Sequence, residues 1–142
     1  MPRALISLAI NSESGRTQNQ LHIHIDCLRS DVSLLLRRHL AELGPDWRAF
    51  PGELVGHHYM AVRVLGSKLD INPFKLLAAR VPGADHQMAK YSLVVVGATF
   101  AGRRNGFVIL AGYVDRKADD YASGEELQDH TCAIAKEAGS VE

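Results

Sequence analysis

An excess of basic charge is the first thing this sequence lacks. Lys and Arg number 16 among the 142 residues, and Asp and Glu also number 16, so the formal net charge is zero with His neutral. Domains that bind nucleic acid through bulk electrostatics carry a basic face and a high pI. That class is excluded; a small anionic ligand, which needs only a few local donors, is not. Long hydrophobic runs are also missing. The longest apolar stretch, Ser92 to Gly102, is well short of the roughly 20 residues a membrane-spanning helix requires. Met1-Pro2-Arg3 leads directly into a strand-like run, without a secretory signal pattern, so the chain as written reads as soluble. Cysteine is scarce: Cys27 and Cys132 lie far apart and in no metal-like spacing. A domain of this size does not need a bridge, and two buried thiols are expected in preference to a disulfide. No repeat, linker or low-complexity tract divides the chain. The composition, 46% hydrophobic and 23% charged, is that of one globular domain over residues 1–142.

The hydrophobic pattern then sets out the elements. Leu5 to Ile10 is a short apolar run and predicts a buried strand. The polar loop Asn11 to Gln18 follows, with one Gly. Asn19 to Ile25 alternates, with Leu21, Ile23 and Ile25 on one face and Gln20, His22 and His24 on the other. Two strands joined by that loop predict an antiparallel hairpin. Ser30 or Asp31 is expected to cap a helix to about Leu43, stopped by Gly44-Pro45, with Leu34, Leu35 and Leu36 inward and Arg37 and Arg38 solvated. Trp47 to Gly56 reads as an irregular link and His58 to Leu65 as a strand. Asn72-Pro73 starts a short helix to about Arg80. Tyr91 to Thr99 and Gly106 to Val114 predict strands joined across Asn105-Gly106, a hairpin signal. Ser123-Gly-Glu-Glu126 has the form of a capping box opening a helix to about Ala138. The order is β-β-α-β-α-β-β-α, an α+β domain with an antiparallel sheet.

Chemistry concentrates on the second strand. Gln20, His22 and His24 form a polar row, spaced about 6–7 Å along one face. Burying two imidazoles and an amide unpaired would cost a few kcal/mol, so the row must meet water, a network or a ligand. The loop ahead supplies Asn11, Ser12, Ser14, Arg16, Thr17 and Gln18 as donors to anionic oxygens. Imidazole beside neutral donors and one Arg suits phosphoryl or nucleotidyl transfer, in which one nitrogen attacks phosphorus while donors hold the non-bridging oxygens. Two other readings stay open from the residues alone. One is a metal platform, with Asp26, His57 or His130 completing a site on the His-x-His pair. The other is an exposed structural strand.

The stretch INSESGRTQNQLHIHIDC resembles the signature strand of the histidine-triad superfamily, in which three alternating histidines follow a turn carrying Asn and Gln. Here the row reads Gln20-Leu-His22-Ile-His24, so Gln stands where the superfamily has its first His. The variant Asn-Gln-Leu-His-Ile-His, with its Arg-Thr-Gln lead-in and Cys27, is similar to the bacterial CDP-diacylglycerol pyrophosphatase family. Gly56-His-His-Tyr59, Asn72-Pro-Phe74, Val81-Pro82, Phe107 to Leu110 and Glu126-Leu-Gln128-Asp-His130-Thr-Cys132 extend the likeness over nearly the whole chain.

The resemblance implies a histidine-triad-like antiparallel sheet with flanking helices, and hydrolysis of CDP-diacylglycerol to CMP and phosphatidate through a nucleotidyl-histidine intermediate. It makes His22 the nucleophile, His24 a donor to the phosphate or leaving-group oxygen, and Gln20 the orienter in place of the usual first histidine. Asn11, Arg16, Thr17 and Gln18 are expected to cradle the α-phosphate, and His130 to support the site. No metal or other cofactor is implied. The partners implied are the nucleotide-linked lipid and a membrane surface, with no nucleic acid and a homodimer left open. Members of the family are typically membrane-associated, at the bacterial inner membrane. They are longer at the N-terminus, so the chain is expected to correspond to a C-terminal portion, truncated before the signature strand.

Overall fold

The computed structural model describes residues 2–15 and 22–140. Six strands form one sheet: β1 (Ile6–Ile10), β2 (His24–Cys27), β3 (Arg48–Ala49), β4 (Met60–Leu65), β5 (Tyr91–Phe100) and β6 (Arg104–Tyr113). Their order across the sheet is β2-β1-β5-β6-β4-β3, and each neighbouring pair is antiparallel. Three α-helices accompany them: α1 (Ser30–His39), α2 (Pro73–Arg80) and α3 (Ala133–Ser140). The expected α+β class and element order are therefore present, with β3 added inside what the sequence predicted as an irregular link.

Each face of the sheet has its own core. Ala9, Val94, Val96, Val108 and Leu110 pack with Leu28, Val32, Leu36 and Leu127 on the face that α1 covers. Val62, Leu93, Ile109 and Ala111 pack with Leu77, Val81 and Ala84 on the face that α2 covers. Every β5 residue from Leu93 to Val96 serves one core or the other, which is why that strand reads as an unbroken apolar run rather than an alternation.

Several local expectations are corrected. The turn between β5 and β6 is Ala101–Arg103, and Asn105-Gly106 lies inside β6, paired with Thr99 and Ala98. A Cβ on Gly106 would stand 2.6 Å from the Val64 carbonyl and 2.8 Å from the Phe100 ring, so this glycine serves close packing rather than the turn. Helix α1 buries Val32, Ser33 and Leu36, while Leu34 is 44% exposed. At about 100° per residue three consecutive leucines cannot all point inward. Its N-cap is Arg29, without a side-chain capping bond; Asp31 accepts from the Val32 N–H at 2.9 Å instead. The Asn72 cap is as expected, its Oδ1 accepting from Phe74 and Lys75 N–H.

The predicted helix from Ser123 is not continuous. Gly124–Leu127 makes a single 3-10 turn without a side-chain cap. Gln128 is extended, Cys132 takes a left-handed backbone (φ 53°), and α3 begins only at Ala133. The cysteines are also corrected: Cys27 and Cys132 form a disulfide across 105 residues, with Cα atoms 5.3 Å apart. Because Asp129 N–H donates to the Cys27 carbonyl at 2.8 Å, the segment bearing Cys132 is held against β2, a proximity that sequence spacing alone does not reveal.

Candidate active site

β2 lies at the sheet edge, hydrogen-bonded to β1 with Ala9 opposite His24 and Ser7 opposite Asp26. Ala9 and Ser7 are fully buried, whereas Leu8, opposite Ile25, is 36% exposed. The histidine side of β2 therefore continues the covered face of the sheet, and Ile23 and Ile25 point outward at 59% and 70% exposure. His22 stands two residues ahead of the strand. Its ring centroid is 6.4 Å from that of His24, with the planes 68° apart. This is the spacing that alternation along one strand face produces.

A carboxylate stands behind this pair that the sequence reading did not assign. Glu125 Oε1 lies 3.1 Å from His24 Nδ1, and Asn11 Nδ2 donates to Glu125 Oε2 at 2.6 Å. The Asn11 carbonyl oxygen in turn accepts from Glu125 N–H and Ser123 Oγ, each at 3.2 Å. Asn11 is 5% exposed, and its amide orients Glu125. With Nδ1 directed at Glu125, His24 has Nε2 left for a ligand.

The 3-10 turn reaches this position through Gly124. A Cβ there would come within 2.8 Å of Val94 Cγ2 and 3.3 Å of the Ala9 Cβ, so only glycine lets the turn lie flat on the sheet. Adjacent residues of the turn then serve two clusters. Glu125 holds His24, while Glu126 accepts from His57 Nδ1 at 2.8–2.9 Å and from the Tyr59 hydroxyl at 2.5 Å. Asp120 Oδ1 lies 3.8 Å from His57 Nδ1. Burial pulls the His57 pKa down, but the Glu126 hydrogen bond and the charges of Glu126, Asp120 and Asp119 outweigh it and raise the value above 6.5. Burial, followed by the charge and hydrogen bond of Glu126, holds the Tyr59 phenol well above its ordinary range. His57 is thus part of a half-buried network.

Other expected residues fall as follows. His130 is outside any helix, in the turn before Cys132, with its ring 81% exposed and Nδ1 paired to Asp26 Oδ2. Gln128 is buried, and its Nε2 donates to the Ser7 carbonyl and hydroxyl and to the His24 carbonyl at 2.9–3.2 Å. It thereby pins β2 against β1 beside His24. Arg16, Thr17, Gln18 and Gln20 lie outside the described residues. The third metal ligands considered for His22 and His24 are engaged elsewhere: Asp26 with His130, and His57 with Glu126. Among the described residues, the two groups with metal-compatible spacing are Asp26–Cys27–Cys132 and His57–Asp120–Glu126. The first contains the disulfide, and neither contains His22 or His24.

Fold and site together define a class: an antiparallel α+β domain whose edge strand presents two imidazoles, one backed by a carboxylate. The chain belongs to the CDP-diacylglycerol pyrophosphatase family, whose model matches residues 1–136. It is 45% identical over 130 residues to the CDP-diacylglycerol pyrophosphatase of Yersinia pestis, covering 91% of this chain and 49% of that relative. The chain thus spans about half the length of the curated relative it matches. Among the described residues, no helix is long and apolar enough to cross a membrane.

Proposed function

We propose that this domain carries the histidine chemistry of a hydrolase that cleaves CDP-diacylglycerol to CMP and phosphatidate. The observation that carries the reading is the placement of His22 and His24 on the covered side of an edge strand, with His24 Nδ1 held by Glu125 and Glu125 held by Asn11. Membership of the family supplies the substrate class. Substrate meets the enzyme at a membrane surface, because its acyl chains partition there.

In this reaction His22 Nε2 attacks the α-phosphorus in line with the bridging oxygen. The N–P bond forms, the P–O bond to phosphatidate breaks, and phosphatidate departs with the bridging oxygen's electron pair. His24, protonated against Glu125, donates from Nε2 to that oxygen as charge develops on it. Water then attacks phosphorus and gives a proton to His24, the N–P bond breaks, and CMP leaves with His22 and His24 restored. Arg16, Thr17 and Gln18 hold the non-bridging oxygens and Gln20 orients the nucleophile. His130, paired with Asp26 of that strand, lies toward the lipid side.

The test is CMP release from CDP-diacylglycerol in mixed micelles. Wild-type protein is expected to release CMP, and His22→Asn to release none above background at an unchanged melting midpoint. Undiminished turnover by His22→Asn would remove His22 from the chemistry. Failure of the wild type, in the presence of a positive control enzyme, would remove the activity from this chain.

A further inference from the structure

The face that bears His22 and His24 leads to a cavity of about 400 Å³. Its apolar walls are Leu28, just after β2, Leu36 and Leu40 from α1 and its continuation, Val96 and Ala98 from β5, and Ile134 from α3, with Ser33 and Glu137 also lining it. Arg37 and Thr99 are exposed and stand at its rim. The volume and lining are those of a small-molecule pocket, whereas native interiors seldom keep voids larger than a water molecule.

We infer that this cavity receives an acyl chain of the lipid substrate. The inference rests on the hydrolase reading above and extends it to the part of the substrate that does not react. Its direction comes from the strand. His22, His24, Asp26 and Leu28 occupy alternate positions, and like-parity residues are about 6–7 Å apart, so Leu28 lies about 13 Å beyond His24. His24 serves the leaving oxygen, so the phosphatidate half of the substrate departs toward Asp26 and Leu28, not back toward His22. A phosphoglycerol unit and the first methylenes span that distance, passing the Asp26–His130 pair, and the remaining chain enters between α1 and β5. Ala98 is 8% exposed and Val96 3%, so a chain seated there is removed from water.

The experiment measures binding without turnover. Monomeric lysophosphatidates with butanoyl, octanoyl and dodecanoyl chains are titrated by calorimetry, with glycerol 3-phosphate as the chain-free control. Burying each methylene is worth about a fourfold gain in affinity, so the dissociation constant should fall steeply from butanoyl to octanoyl and level off once the cavity is full. Ala98→Phe fills the cavity and Thr99→Trp covers its rim; each should weaken dodecanoyl binding at least tenfold. Because a melting scan can show Ala98→Phe unfolded, Thr99→Trp, on an exposed position, decides in that event. A dissociation constant independent of chain length, or unchanged in the folded variants, overturns the inference. CMP release, assayed separately, keeps the two readings apart. Chain-length-dependent binding without CMP release refutes the hydrolase reading and leaves an acyl site; CMP release with a flat binding profile refutes the acyl site alone.

Discussion

The partner of the half-buried His24 is itself fixed by a buried amide. The Asn11–Glu125–His24 chain joins a buried amide, a carboxylate and an imidazole, so the ring's orientation depends on residues more than a hundred positions apart. Glu125→Gln loosens the proton donor His24 without removing it and should slow CMP release about tenfold to a hundredfold, below the effect of losing the donor itself. The same change should move the His24 Nδ1 nitrogen resonance away from a protonated, hydrogen-bonded position, which a merely structural role for Glu125 would not do. A mutant with unaltered resonance and rate would dissociate Glu125 from the site. His57 gives a separate prediction. Its folded pKa is raised above 6.5, so its contribution to stability is fully present below that value and is lost as pH rises through the raised pKa. Denaturant unfolding from pH 5 to 9 should show wild type losing stability relative to His57→Gln across that window. Parallel curves would contradict it.

At the scale of elements, the turn Gly124–Leu127 is the piece on which the site depends. Its Ser-x-x-Glu start has the pattern of a capping box, yet both glutamates are drawn to side chains across the sheet and the segment continues extended through Gln128. Tertiary partners overrode a local signal. Asn105-Gly106 failed as a turn for a related reason, since packing against Phe100 and Val64 claimed the glycine. Long strands, the Asn72 cap and the histidine row were legible because periodicity and capping are local properties. Glu125, Glu126 and Gln128 were not, because nothing within their own segment shows what they face. Gly124→Ala places a methyl group 2.8 Å from Val94 Cγ2 and should cost about 1–3 kcal/mol in stability. It should also lower CMP release by displacing Glu125, whereas a substitution at Gly44, which has no neighbour within 4 Å and no left-handed backbone, offers no such clash. Equal melting midpoints for wild type and Gly124→Ala would mean the turn is not seated on the sheet as described.

Across the whole molecule, the disulfide ties the chain's two ends. Cys27 at the end of β2 meets Cys132 just before α3, and Asp129, held down by the Thr131 and Ala133 N–H groups, keeps the intervening turn closed. Closing a loop of about a hundred residues constrains the unfolded chain strongly, and removing such a bond typically costs about 2–5 kcal/mol. The double variant Cys27→Ser, Cys132→Ser should therefore unfold at lower denaturant than the oxidised wild type, and the reduced wild type should match it. Coincident transitions for oxidised and reduced protein would contradict the bond's role. Such bonds form and persist in oxidising surroundings, so protein recovered from a reducing cytosol should carry free thiols and share the lower midpoint.

The central claim is that His22 becomes covalently attached to the nucleotide. The direct measurement is mass spectrometry of protein quenched in base at short times during turnover of CDP-diacylglycerol. The account predicts a peptide containing His22 that carries one cytidylyl group, formed with phosphatidate release and lost as CMP appears. Turnover with no adduct, or with the adduct on another residue while His22→Asn remains active, would contradict it.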